Sequence, residues 1–219
     1  MNIIEDLTID NLKNSAAKFA AELSSRKVIE VIGITDGKAV GTFIEASFKD
    51  YLRQFYFSVD WGNAASGVDL PTINTDIKST SIRQPQSSLP FKSARQKIYG
   101  LGYNLLVFVY EKNDLLDHNL ILKSVDFVED SHTGDYRLSK SIIEALNDGK
   151  YPEEIFAILE DMRLPGDDIV YNQLIEEVMK YPPKQGYLTI SNALQWRAQY
   201  RRVLDVSGTV DGVDKIYGK

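Results

Sequence analysis

Tyr103-Asn104-Leu105-Leu106-Val107-Phe108-Val109-Tyr110 is a near-continuous apolar run. A strand that does not alternate apolar with polar residues has both faces covered. The run therefore predicts the central strand of a sheet with layers packed on either side. A neighbouring strand is expected over residues 119–128, which are similarly rich in apolar residues.

The pattern on either side of this strand supplies the layers. Apolar residues recur near helical spacing over 9–23. Residues 42–55 read as a strong amphipathic helix with Phe43, Ile44, Phe48, Tyr51, Leu52 and Phe55 on one side. Residues 28–34 are β-branched and predict a strand, and 57–60 a short one. A hairpin is expected from 68–70 and 75–80. Residues 82–89 are polar and Pro-bearing and predict a loop, and 93–99 a helix ended by Gly100 and Gly102. This is an α/β chain, with a mixed sheet flanked by helices over residues 1–135.

After about Asp130 the composition shifts. Helices are expected over 139–147, 152–163, 167–180 and 190–204, with Pro152 suited to a helix start. Residues 203–206 and 213–217 flank a Gly-bearing turn, as in a hairpin. Helices followed by a hairpin resemble a winged-helix domain. Residues 136–219 are therefore expected to form a mainly helical, winged-helix-like recognition domain, with 190–204 as the recognition helix.

Composition excludes several chemistries. The chain of 219 residues has no cysteine, so disulfides and thiolate zinc sites are absent. With two histidines, His118 and His132, a multi-His metal centre or a His-centred hydrolase is not supported, and neither histidine is assigned a role. No apolar run approaches the ~20 residues that cross a bilayer. The acidic start Met1-Asn2-Ile3-Ile4-Glu5-Asp6 is unlike a signal peptide, and a cytosolic location is expected. Net charge is −6, but the charge is segregated. Lys78, Arg83, Lys92, Arg95 and Lys97 follow one another with no intervening acid, and Arg197, Arg201 and Arg202 cluster near the end. Such stretches fit a nucleic-acid groove on one face of an acidic protein, or an ordinary solvated surface.

Asp69 precedes Asp76-Ile77-Lys78 by the length of a tight turn, Leu70-Pro71-Thr72-Ile73-Asn74-Thr75. Side chains alternate along a strand, so Asp76 and Lys78 point one way and Ile77 points into the core. A chain folding back between Leu70 and Asn74 sets Asp69 beside them. Carboxylates with an adjacent ammonium can hold a divalent cation and activate water against a phosphodiester. The lysine can orient or help deprotonate that water and offset developing negative charge. Each residue also has a plainer reading. Glu45 lies three residues after Thr42, as in a capping box. Asp69 before Leu-Pro suits a turn, and Lys78 suits an exposed strand.

Taken together, Glu45 through Tyr110 resembles the catalytic core of the PD-(D/E)XK nuclease superfamily, which includes most type II restriction endonucleases. Glu45 in Phe43-Ile44-Glu45-Ala46-Ser47-Phe48 matches that family's helix acid, Asp69 its first motif acid, Asp76 its second and Lys78 its lysine. Asp-Ile-Lys-Ser-Thr is similar to the Asp-Ile-Lys-Thr-Thr of some restriction enzymes. Two departures are Val68, not proline, before Asp69, and the short gap from Asp69 to Asp76. The resemblance implies a Mg²⁺-dependent endonuclease acting on double-stranded DNA as a homodimer, with Glu45, Asp69 and Asp76 holding metal.

Candidate DNA contacts follow the proposed catalytic strand. Arg83, Gln84, Gln86, Ser87, Lys92 and Arg95 could meet base edges and phosphates. Asn192, Gln195, Arg197 and Arg201 belong to the expected recognition helix. Arg95, Gln96 and Tyr99 also fit a solvated helix face. Other functions compatible with these features are a repair or junction nuclease of the same fold, a non-catalytic winged-helix DNA-binding regulator, and a protein-interaction domain.

Overall fold

The computed structural model describes residues 6–56, 67–88, 92–149, 151–191 and 197–218. At its centre is a mixed sheet of order β1-β3-β4-β7. β1 (Thr75–Ser81) runs parallel to β3 (Asn104–Lys112), which pairs antiparallel with β4 (Leu120–Val128); β7 (Val213–Gly218) is antiparallel to β4. The apolar run is the body of β3, and Asn104 to Tyr110 are all buried. Alternation sorts its side chains between two cores. Leu106, Phe108 and Tyr110 join one cluster, and Leu105, Val107 and Val109 the other.

Two long helices cover the first face. In α1 (Ile9–Ser24), Leu12, Ala16, Phe19, Ala20 and Leu23 repeat at helical spacing and are buried. The Thr8 hydroxyl caps the helix by accepting from the Asn11 amide. α2 (Gly37–Arg53) buries Val40, Ile44, Phe48 and Leu52. Phe19, Phe48 and Phe108 meet with ring centroids 5.0–5.8 Å apart, a spacing at which tilted aromatic pairs attract. α2 begins upstream of the expected residue 42, with Asp36 as its cap accepting from the Lys38 amide at 3.0 Å. The Thr42–Glu45 capping box is therefore corrected: Glu45 is mid-helix.

The strand expected over 28–34 is instead a single 3₁₀ turn, Ile29–Val31. Val28 exchanges backbone hydrogen bonds with the Asn119 side-chain amide at 2.8 and 2.9 Å, so no strand partner is needed. β-propensity reports fit to a half-buried sheet surface, and here Ile29 and Ile32 are exposed. The short strand expected over 57–60 lies outside the described residues.

The second face is covered by short elements. β2 (Gln86–Ser88), β6 (Arg197–Gln199) and β5 (Thr189–Ile190) form a small antiparallel sheet of order β2-β6-β5. α7 (Arg201–Val206) packs beside it. Three expectations are corrected here. Residues 82–89 contain a strand rather than only a loop. Of the helix expected over 190–204, only residues 201–204 are helical among the described residues, within α7, and 197–199 are a strand. Residues 203–206 are helical, and 213–218 pairs with β4 rather than completing a hairpin. The reason lies in the period. Arg197 and Gln199 are exposed while Ala198 and Tyr200 are fully buried, which is a strand repeat, and β2 supplies the hydrogen bonds.

A third apolar cluster joins α3 (Arg95–Tyr99), α4 (Tyr136–Asn147), α5 (Pro152–Asp161) and α6 (Asp168–Lys180) through Ile98, Ile142, Ile155, Leu159 and Val178. Residues after 136 thus serve three places: this helical cluster, the second face of the sheet and, through β7, the sheet itself.

Candidate active site

β1 is an edge strand of the four-stranded sheet. Pairing with β3 leaves the amides of Ile77 and Ser79 pointing off its free side, where a buried donor needs an acceptor. Two carboxylates meet them. Asp69 Oδ2 accepts from the Ile77 amide at 3.0 Å, and Glu45 Oε1 accepts from the Ser79 amide at 2.9 Å.

The chain reaches this arrangement by matching repeats. Four helical residues advance about 6 Å and two strand residues about 6.6 Å. Glu45 and Lys49, one turn apart on α2, therefore stand opposite Ser79 and Ile77. Gly41 permits the close approach of helix and strand, since a Cβ there would lie 3.3 Å from the Ser79 carbonyl oxygen. Asp69 comes from the segment before β1. Leu70 and Thr75 exchange backbone hydrogen bonds at 2.9 and 3.1 Å across the 3₁₀ turn Pro71–Ile73. Asn74 closes that turn in the left-handed region at φ +47°, a conformation Asn tolerates. This is the tight turn the short Asp69–Asp76 gap demands.

On β1, Asp76 and Lys78 share a face and Ile77 takes the other, as alternation requires. Asp76 and Lys78 are in register with Leu105 and Val107 of the second core, and Ile77 with Leu106 of the first. Lys78 Nζ lies 2.5 Å from Asp76 Oδ2, with the Asp76 side chain 5% exposed. Lys49 Nζ lies 2.5 Å from Asp69 Oδ1. The structure thus brings Glu45, Asp69, Asp76 and Lys78 together and adds Lys49.

Burial and mutual charge dominate the electrostatics. Desolvation raises Glu45 to about 7; the Lys78 ammonium opposes this and the Asp69 charge adds to it. Asp76 is raised to about 6 by burial against the pull of Lys78, with its hydrogen bond to Asp69 adding to the rise. Asp69 is also pushed upward by burial, yet hydrogen bonds with Asp76, Lys49 and the Ile77 amide bring it below its ordinary value. For Lys78, burial works against the ammonium, but the charges of Asp76, Glu45 and Asp69 hold it above the usual range. Asp69 and Asp76 titrate as a pair.

Three acids therefore face two ammonium groups, and two of the acids are held in a partly protonated range. Carboxylate oxygens are the donors a hard divalent cation prefers, and a cation on Asp69 and Asp76 would relieve this crowding. The residues fit such a cation. Among the described residues, no three acidic, histidine or cysteine side chains are already gathered at metal-ligand spacing, and Glu45 is turned to the Ser79 amide.

A cleft of about 630 Å³ opens beside Glu45 and Lys78, lined also by Lys38, Gln84, Gln86, Ser87, Ser88 and Arg197. Ser88 and Arg197 are directly paired between β2 and β6. Arg83 lines a neighbouring cleft of about 540 Å³ that shares Ser81 and Tyr110 with the first. Beneath the floor, the Ser87 hydroxyl is 2.5 Å from that of fully buried Tyr200. The buried Tyr103 hydroxyl has no hydrogen-bond partner among the described residues.

The other sequence candidates are dispersed. Arg95 forms a bidentate pair with Glu177 of α6 and stacks on Tyr99, outside the cleft. Lys92 is exposed and its amide donates to Gln96. Arg201 pairs with Asp205 at 3.4 Å on α7. Asn192 and Gln195 lie outside the described residues. The run of bases from Lys78 to Lys97 is not one surface: Lys97 is buried, and its ammonium is disfavoured by desolvation despite nearby Asp135. Sequence reading missed Lys49, Tyr103 and Tyr200. Lys49 was legible as the residue one turn after Glu45, whereas the two tyrosines carried no signal beyond hydrophobicity.

No solved structure matches the chain. Residues 6–215 match the family described as type II restriction enzyme NspV. The type II restriction enzyme NspV of Nostoc sp. (strain ATCC 29411 / PCC 7524) is 46% identical over 215 residues, covering 96% of this chain and 97% of that protein. Both matches span the central sheet, the helices and the small antiparallel sheet together. The chain belongs to the type II restriction enzyme NspV family.

Proposed function

We propose that the protein is a Mg²⁺-dependent endonuclease that hydrolyses phosphodiester bonds at a specific short sequence in double-stranded DNA. The observation that carries this reading is the convergence of Glu45, Asp69, Asp76 and Lys78 on the free edge of β1 in a chain of this family. Asp69 and Asp76 would hold the cation, with Glu45 adding a further carboxylate that interacts with both. Bound Mg²⁺ would neutralise charge on the scissile phosphate and lower the pKa of an attacking water.

The chain's own groups do the rest. The Ile77 amide and the tight turn before it fix Asp69. Lys78, held as an ammonium beside Asp76, orients water and offsets charge on the pentavalent phosphorus. Gln84, Gln86, Ser87 and Arg197 face DNA in the cleft, and Arg83, Lys92 and Arg201 meet phosphates. The shape of the site, a helix acid joined to Asp69 just before β1 and to Asp-Ile-Lys on β1, supports membership of the PD-(D/E)XK superfamily. Two copies acting on a palindromic site complete the reading, with the segments after residue 135 contributing recognition.

Digestion of a long DNA of known sequence with Mg²⁺, followed by mapping of the ends, tests this. Discrete fragments with one common end sequence are expected, and none with a chelator. Cleavage confined to branched or damaged DNA, or gel shifts without any cleavage, would overturn it.

A further inference from the structure

Both oxygens of Asp69 are already engaged. Oδ2 accepts from the Ile77 backbone amide, and Oδ1 receives the Lys49 ammonium at 2.5 Å. The Lys49 side chain is 23% exposed, Asp69 is its ion-pair partner, and it is anchored on α2 one turn from Glu45. An incoming dication on Asp69 meets this ammonium first. The Ile77 amide is fixed in the strand, so the flexible lysine is the group that can leave. Two cations on one carboxylate repel strongly in a partly buried site.

We propose that Lys49 is a built-in placeholder for the divalent cation: its ammonium neutralises Asp69 in the metal-free protein and must be displaced when the cation binds. The inference rests on Asp69 being a metal ligand. Lys49 touches a ligand rather than substrate, so it is a positioning residue. Its consequence is that the metal-free protein holds cations weakly, while Asp69 keeps its orientation without them. Lys78 has the same relation to Asp76, but it also faces the cleft; Lys49 is not among the cleft-lining residues and can be altered with less effect on the chemistry there.

The test is a titration of Mn²⁺ into the full chain without DNA, reading free Mn²⁺ by electron paramagnetic resonance. Lys49→Met keeps the length of the stem and removes the charge. It is expected to tighten Mn²⁺ binding about tenfold, the scale of one partly screened charge removed from beside a carboxylate. Lys49→Gln is a second uncharged variant and should tighten it likewise, whereas Lys49→Arg should bind as the wild type does. Asp69→Asn should lose the tight site. If Asp69→Asn loses binding but both uncharged variants bind no tighter than wild type, the placeholder is overturned while the metal site stands. If Asp69→Asn binds Mn²⁺ unchanged, the metal site falls and the placeholder with it.

Discussion

On one face of the central sheet, Leu106, Phe108 and Tyr110 pack against two long helices. On the other, Leu105, Val107 and Val109 share their surface with Asp76, Lys78 and the buried hydroxyls of Tyr103 and Tyr200. The first face is nearly all hydrocarbon, and its core keeps Phe19, Phe48 and Phe108 in mutual contact. The second carries a carboxyl raised to about 6 and a tyrosine hydroxyl with no partner among the described residues. Burying such groups costs stability. The contrast teaches that one face is given over to apolar packing while the other also buries charged and polar groups, and that β3 is the wall between them.

The sharpest way to break this comparison is to alter each face once. Asp76→Asn is expected to lower the cleavage rate by at least about 10³-fold while a single cooperative unfolding transition remains, read by circular dichroism. Substantial cleavage by this variant would remove Asp76 from the chemistry. Phe48→Ala, on the opposite face, should cost about 3–5 kcal/mol in urea unfolding and leave the rate per folded molecule close to wild type. A selective loss of rate in Phe48→Ala would show that the two faces are not separable.

A smaller effect concerns pH. Glu45 and Asp76 are raised in the folded state, to about 7 and about 6. The folded protein therefore binds more protons than the unfolded chain between the ordinary carboxylate range and about pH 7. Stability is thus greatest at mildly acidic pH and falls as pH rises through that window. The loss should be about 1–3 kcal/mol in metal-free protein, and Mg²⁺ should remove most of it. A flat profile from pH 4.5 to 7 without metal would mean that the acids are not crowded.

The same contrast explains what the sequence made legible. The two long helices of the first face were legible, because Leu12, Phe19, Ile44 and Phe48 obey a helical period over long segments. The acidic cluster was legible because Asp69, Asp76 and Lys78 are close in sequence and alternation fixes their directions. The second face was not. Arg197-Ala198-Gln199-Tyr200 satisfies a strand period as well as a helical one over so short a span, and only its partner β2, far away in sequence, decides between them. The Val28–Ile34 segment failed likewise, since a side chain, Asn119, took the place of a neighbouring strand. Arg95 and Lys97 looked like free surface charge because Glu177 and Asp135 are supplied by later helices.

The outward amides of β1 are held by Glu45 and Asp69 rather than by another strand. An unprotected strand edge is a template for joining a second molecule, and pairing the Ile77 and Ser79 amides with carboxylates leaves this edge less open to such joining. Alanine at either position uncovers an amide. Lost turnover in such a variant would then mix absent chemistry with clumped protein, whereas glutamine at 45 or asparagine at 69 retains an acceptor and keeps the two effects apart.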